Sequence, residues 1–338
     1  MSELDRSAAV GVSRTPGVVV AALTAFVSGV SVFVNSYGVH SFSSPNVYTT
    51  AKNIVAAVIL MALAALARLR RSPGMLKNFA TVTPDDRETL GTTAVHLEGR
   101  SPWGRRWALA YVGVVGGGLA FALFFHGLAV ASPTSAAFWR DTMVLWVAVG
   151  AVTLLGERIK WWNVAAIGLL VLGEIVVTGG VGPLATSNGE LFVLGATVLW
   201  ALEVIVVKSL LVGVAPATVS TVRMGVGSIS LVAYLVASGA AGALTALTGS
   251  QIHWALWTGG LLALYVATWM TALARARALD VTSVLVGSAV VTWLLQLVAG
   301  TTTPVASSLG LILIVVGVVL VAGLSLKRLV DRTRSTVA

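Results

Sequence analysis

The sequence predicts an all-α integral membrane protein: ten transmembrane helices arranged as two inverted five-helix repeats, with both termini cytoplasmic. Three observations carry that prediction. Hydrophobic residues make up 57% of the 338 and charged residues only 10%, against about 25% charged in a soluble domain. Ten apolar stretches of 20 to 23 residues recur along the chain, and about 20 such residues are needed to cross a bilayer core. Among the connections, only alternate ones carry Lys and Arg.

Taken in order, the stretches are Val18–Val39, Asn46–Ala67, Trp107–Leu128, Pro133–Leu155 and Trp161–Gly180. The second half follows with Glu190–Val212, Pro216–Ser238, Trp254–Ala274, Val281–Gly300 and Val305–Leu326. Pro16, Pro45, Pro133, Pro216 and Pro304 stand at or just before helix starts, where a missing N–H costs nothing. No proline falls inside a span, so a site built from proline-broken helices is not expected. The first span is longer than the apolar core of a signal peptide and lacks a small-x-small cleavage site, so it is expected to be retained.

Orientation follows from the basic residues, which stay cytoplasmic in short loops. Arg6 and Arg14 precede the first span, eight Lys or Arg lie between Arg68 and Arg106, Arg158 and Lys160 follow the fourth span, and Arg275 and Arg277 the eighth. The five odd-numbered connections carry none. The expected organisation is a cytoplasmic tail (1–17), a first repeat (18–180) with a cytoplasmic insert (69–106), an outer linker (181–189), a second repeat (190–326) and a basic cytoplasmic tail (327–338). The net charge of +9 is spread along one membrane face, so no nucleic-acid partner is expected. Cysteine is absent and the four histidines are scattered. No metal site, no cofactor and no thiol chemistry is therefore expected.

The two halves align. Pro45 with Lys52 seven residues on matches Pro216 with Arg223, and Asn35-Ser36 matches Lys208-Ser209. Trp107-Ala108-Leu109 matches Trp254-Ala255-Leu256, and Thr134-Ser135 matches Thr282-Ser283. Five spans is an odd number, so the second half enters the membrane from the opposite side. Such inverted repeats commonly build alternating access.

Leu154-Leu155-Gly156-Glu157-Arg158 at the end of the fourth span is similar to the LGER signature of the EamA-like, ten-helix members of the drug/metabolite transporter superfamily. Gly168 and Gly173, and the Pro-x6-Lys/Arg openings of the second and seventh spans, fit the same family. The chain departs from it in having Gly300-Thr301-Thr302 where the signature would recur, Lys52 where Arg is commoner, and a long insert. The resemblance implies a secondary transporter of a small metabolite in the cytoplasmic membrane, working as an exporter rather than an enzyme. Its partners would be the solute, membrane lipids and, as a candidate coupling ion, the proton. The rival class is a membrane-embedded enzyme acting on a lipid-linked substrate.

Ionisable side chains inside spans are costly and mark candidate sites. Lys52 and Arg140 each lie seven residues past a helix-opening proline, roughly 10 Å deep at 1.5 Å per residue; Asp141 and Glu174 share that layer. Glu203 and Arg223 lie in the opposite half. Arg140 aligns with Ser288, so repeat-wide packing does not explain it. Arg140 and Asp141 project about 100° apart on a helix and are not expected to neutralise each other. Two readings stand for these charges: ions bolting helices together, or a polar substrate site. Lys52, Arg223, Glu157 and Arg158 are expected to be structural. Arg140, Trp139, Asn35, Trp200, Trp269 and Ser288 are candidate substrate contacts, and Asp141, Glu174 and Glu203 candidate proton carriers. The cavity they imply is expected between the halves, lined by spans one, three, four, six, eight and nine. Arg140, with its planar fork, is expected to meet a carboxylate or other anionic group, and the favoured solute is an amino-acid-like zwitterion or anion. Gly113-x3-Gly117 reads as a close helix crossing.

Overall fold

The computed structural model describes residues 17–69, 102–128, 139–157, 159, 161–177, 188–300 and 305–337. Every regular element among them is helical. The first half contains α1 (Gly17–Gly38), α2 (Pro45–Leu69), α3 (Pro102–Tyr111), a π-helical stretch (Val112–Leu119) and α4 (Ala120–Leu128), then α5 (Met143–Thr153) and α6 (Trp161–Val177). The second contains α7 (Asn188–Leu210), α8 (Pro216–Ala237), the short α9 (Gly242–Thr245), α10 (Gly249–Arg275), α11 (Ala278–Leu285), α12 (Ser288–Val298) and α13 (Val305–Val337). Seven helices among the described residues are long and apolar enough to cross a membrane, and two further apolar helices, Trp161–Val176 and Ser308–Leu324, are shorter. The protein is thus a multi-pass membrane protein, built of helices throughout the described residues.

Two boundaries depart from expectation for local reasons, and two spans are irregular inside. The helix expected from Trp254 starts at Gly249, because Thr248 and Gln251 form a reciprocal capping box that satisfies orphan N–H groups. The last helix does not stop at Leu326 but runs to Val337; no glycine or proline interrupts that stretch. The absence of mid-span prolines does not keep the spans regular. Gly113, Gly116, Gly117 and Gly118 sit in the π-helical turn, where glycine weakens the ordinary ladder. At Val286-Gly287 the ninth span tightens through i→i+3 bonds, Gly287 N to Val284 O and Ala289 N to Val286 O.

Helix packing sets which ends meet. α1 lies against α10 and α12, and α7 against α4 and α5; α2 lies against α8 and α10, and the π stretch against α8. α6 packs along α13. The buried core is dominated by alanine, valine and leucine, with small residues where backbones approach, as lipid-embedded helices require. Gly117 and Gly227 cross with no room for a Cβ on either, and Gly113 abuts Val226. At one end of the bundle, Glu157 meets Ala278, Lys208 reaches Leu273 and Ala276, and Gly17 touches Arg275. At the other end, Gln251 Nε2 donates to Ser41 O at 3.0 Å and Gly127 faces Gly189.

Candidate functional site

The widened π turn is the pivot of a buried ion pair. Arg223 of α8 donates from Nε to Glu203 Oε1 at 2.5 Å and from Nη2 to Glu203 Oε2 at 3.0 Å. Their side chains are 8% and 5% exposed. The Gly116 carbonyl accepts Trp200 Nε1 at 3.0 Å and lies 3.5 Å from Arg223 Nη2. Phe121 lies beneath the guanidinium, and Phe121 and Phe124 pack on Trp200. A Cβ at Gly116 would fall on the Glu203 carboxylate. Glycine here is what lets the acid reach its base.

A second ion pair is more open. Arg140 donates from Nε at 2.9 Å and from Nη2 at 2.8 Å, both to Asp141 Oδ1, with side chains 27% and 14% exposed. This corrects the expectation that the two neighbours cannot neutralise each other. A 100° separation fixes the Cβ directions, but the long arginine stem swings its fork back, and Thr142 interrupts the helix just beyond. Glu174 of α6 is buried and within electrostatic reach of both members. A cleft of about 250 Å³, including its open mouth, is lined there by Asp141, Thr142, Leu170, Glu174 and Val286 among others.

Tyr265 of α10 joins the two pairs. It lies within electrostatic reach of Arg140, Asp141, Arg223 and Glu203, and its ring stacks on Trp269 at 6.2 Å. Tyr265 is only partly buried. Sequence reasoning missed it, since a phenol in an apolar run reads as packing; the signal available was its i, i+4 spacing from Trp269. Tyr111, whose hydroxyl donates to Leu199 O at 3.3 Å, also faces Glu203.

The other candidates are distributed differently from expectation. Asn35 does not join Arg140 but accepts Lys52 Nζ at 3.1 Å and the Tyr48 hydroxyl. Trp139 packs with Phe124 and Val193, and Ser288 sits where α12 crosses Gly29 of α1. Glu157 ties the halves together: Oε1 accepts Ala278 N at 3.1 Å and Oε2 lies 3.3 Å from Arg277 Nε. Gly156 before it has φ +63°, a conformation glycine adopts at little cost. Arg158 lies outside the described residues. Lys208, another residue missed, donates to Leu273 O at 2.6 Å and to Ala276 O, so its charge rests on the negative C-terminus of α10. Among the described residues no three His, Asp or Glu side chains gather as a metal would require.

A multi-pass helical membrane protein with one buried and one partly open ion pair facing a shared tyrosine is the class that the fold and site define. Within that class, residues 15–179 match the EamA-like transporter family, which is consistent with membership of the drug/metabolite transporter superfamily. That family consists of membrane transporters. One solved crystal structure of a protein is 19% identical and superposes with a TM-score of 0.66 over 91% of this chain and 98% of that one, a likeness of fold. No curated protein matches.

Proposed function

We propose that the chain is a secondary transporter of a small zwitterionic or anionic metabolite. It works by alternating access of two inverted halves, residues 18–180 and 190–326, joined by 181–189. The packing pattern supports the inverted repeat. The first span meets the eighth and ninth, while the sixth meets the third and fourth, so each contact has a partner with the halves exchanged. Gly117 abuts the Arg223 carbonyl, and Gly259 abuts the Lys52 carbonyl in the same manner. With the Lys/Arg distribution, this reading puts both termini on the cytoplasmic side of the cytoplasmic membrane, and export as the direction.

The observation that carries the substrate reading is the contrast between the two ion pairs. Glu203 is held by both arms of Arg223 and closed off, whereas Arg140 and Asp141 are partly open and face a partly buried tyrosine. A solute carboxylate takes the planar fork of Arg140. Asp141 is then released to meet the solute's ammonium or a proton, with Glu174 at hand to share it. Displacement of the internal acid by the substrate couples binding to a charge rearrangement. In this reading the coupling role rests on Asp141 and Glu174, and Glu203 holds the structure.

The test is flux of labelled amino acids into proteoliposomes. Wild-type chain should move a zwitterion, Arg140→Lys should lose most of that flux while inserting normally, and Arg140→Gln should lose it all. Equal flux in the two variants at matched protein levels would reduce Arg140 to a structural ion. Product formation without net solute movement would favour the membrane-enzyme reading instead.

A further inference from the structure

Lys52 stands apart from both ion pairs. It is 5% exposed, and its ammonium is enclosed by three helices: Asn35 of α1 accepts from it at 3.1 Å, and the rings of Tyr48 of α2 and Phe125 of α4 lie 5.0 and 5.3 Å away. Among the described residues no carboxylate pairs with it, and no acid exerts an electrostatic pull on it. An ammonium carries three donors, and Asn35 takes one. That amide oxygen is already shared with the Tyr48 hydroxyl, and an amide brings no negative charge. The aromatic faces offset part of the desolvation but leave a net charge inside the bundle.

The second half resolves the same problem differently. Arg223, which aligns with Lys52, has Glu203. The residues that align with Glu203 in the first half are Val30 or Val32, by the Asn35/Lys208 and Pro45/Pro216 matches respectively. The first half has kept the base and lacks the acid. A buried cation without a counter-charge is costly; no described residue supplies one to Lys52, and a bound anion would.

We infer that Lys52, with Asn35, forms a second site that binds one small negatively charged group, either a free inorganic anion or the carboxylate of a small solute. It is separate from the Arg140 cluster, because Lys52 is absent from the electrostatic surroundings of Arg140, Glu174 and Tyr265. The Tyr48 and Phe125 rings occupy two sides of the ammonium, which favours a small group such as a halide or a carboxylate head.

The test uses the full chain in detergent, with thermal unfolding followed by tryptophan fluorescence. Sodium chloride and sodium acetate are titrated separately at constant ionic strength, the balance made up with the bulky anion of HEPES. A ligand that binds only the folded chain raises its Tm in a saturable way. The wild type should show that rise; chloride alone identifies a free inorganic anion, and acetate alone a solute carboxylate. Lys52→Met should abolish the rise, and Arg140→Gln should keep it, which separates this site from the proposed substrate site. Asn35→Asp supplies the missing acid within the chain, so it should unfold at a higher Tm in HEPES and no longer respond to either anion. No saturable rise in the wild type, or an undiminished rise in Asn35→Asp, overturns the inference even where Lys52→Met fails to fold.

Discussion

Arg223 and Glu203 meet fork to fork, each oxygen of the acid taking a separate nitrogen of the base, on neighbouring helices of the same half. Both are shielded from solvent, so neither charge has a substitute partner in water. Glu203→Gln or Arg223→Met alone should cost about 3–5 kcal/mol, the usual cost of stranding one member of a buried pair. The double replacement should cost much less than the two together. A double-mutant cycle on detergent-solubilised protein reads the coupling directly, and additive losses would contradict it.

Gly116→Ala should act on that pair without touching either residue. The new Cβ falls on the Glu203 carboxylate and pushes it away from Arg223, a strain of about 1–3 kcal/mol. Gly168→Ala is the control, since nothing lies within 4 Å of its Cβ; there the better helix propensity should add up to about 1 kcal/mol. Opposite shifts in Tm are expected.

Tyr265→Phe keeps the ring that stacks on Trp269 and removes only the hydroxyl. Stability should change by less than about 0.5 kcal/mol, as for a substitution that breaks no packing. Flux of a zwitterion should fall by up to about tenfold, the worth of one hydrogen bond. Unchanged flux would mean that the hydroxyl meets no solute.

Glu157→Gln retains an oxygen for Ala278 N but loses the charge beside Arg277. It should cost about 1 kcal/mol, and Glu157→Ala, which strands the buried Ala278 N–H, about 1–3 kcal/mol. Thermal unfolding of the two variants side by side separates the charge from the acceptor.

Single cysteines at Ser43 and Gly242, in a chain with none of its own, should react with an impermeant maleimide from outside intact cells. Labelling that requires permeabilised cells would reverse the orientation.

The apolar stretches were legible because hydropathy and length are one-dimensional properties. Azimuth was not. Depth placed Glu203 and Arg223 in the same layer but could not turn them towards each other; that depended on glycines widening one turn of a third helix. The neighbours Arg140 and Asp141 were judged from their Cβ directions, whereas a guanidinium on a flexible stem samples a wide cone. The contacts of Asn35 with Tyr48 and Lys52 were not legible for a similar reason, since they lie on a separate helix. Lys208 was read as a repeat match to Asn35, and its work on the carbonyls of α10 depends on where an unrelated helix ends.

Gly156 and Gly300 both have positive φ, at +63° and +80°, at the ends of helices that the proposed repeat aligns, yet an acid follows only the first. The short signature around Gly156 therefore mixes two kinds of information. One letter encodes a backbone shape that both halves obey, and its neighbour encodes a chemical link that a single copy supplies to hold the other. A pattern search that demands the whole signature would recognise one half of this molecule and overlook its sibling, whereas a search weighted towards the glycine alone would find both.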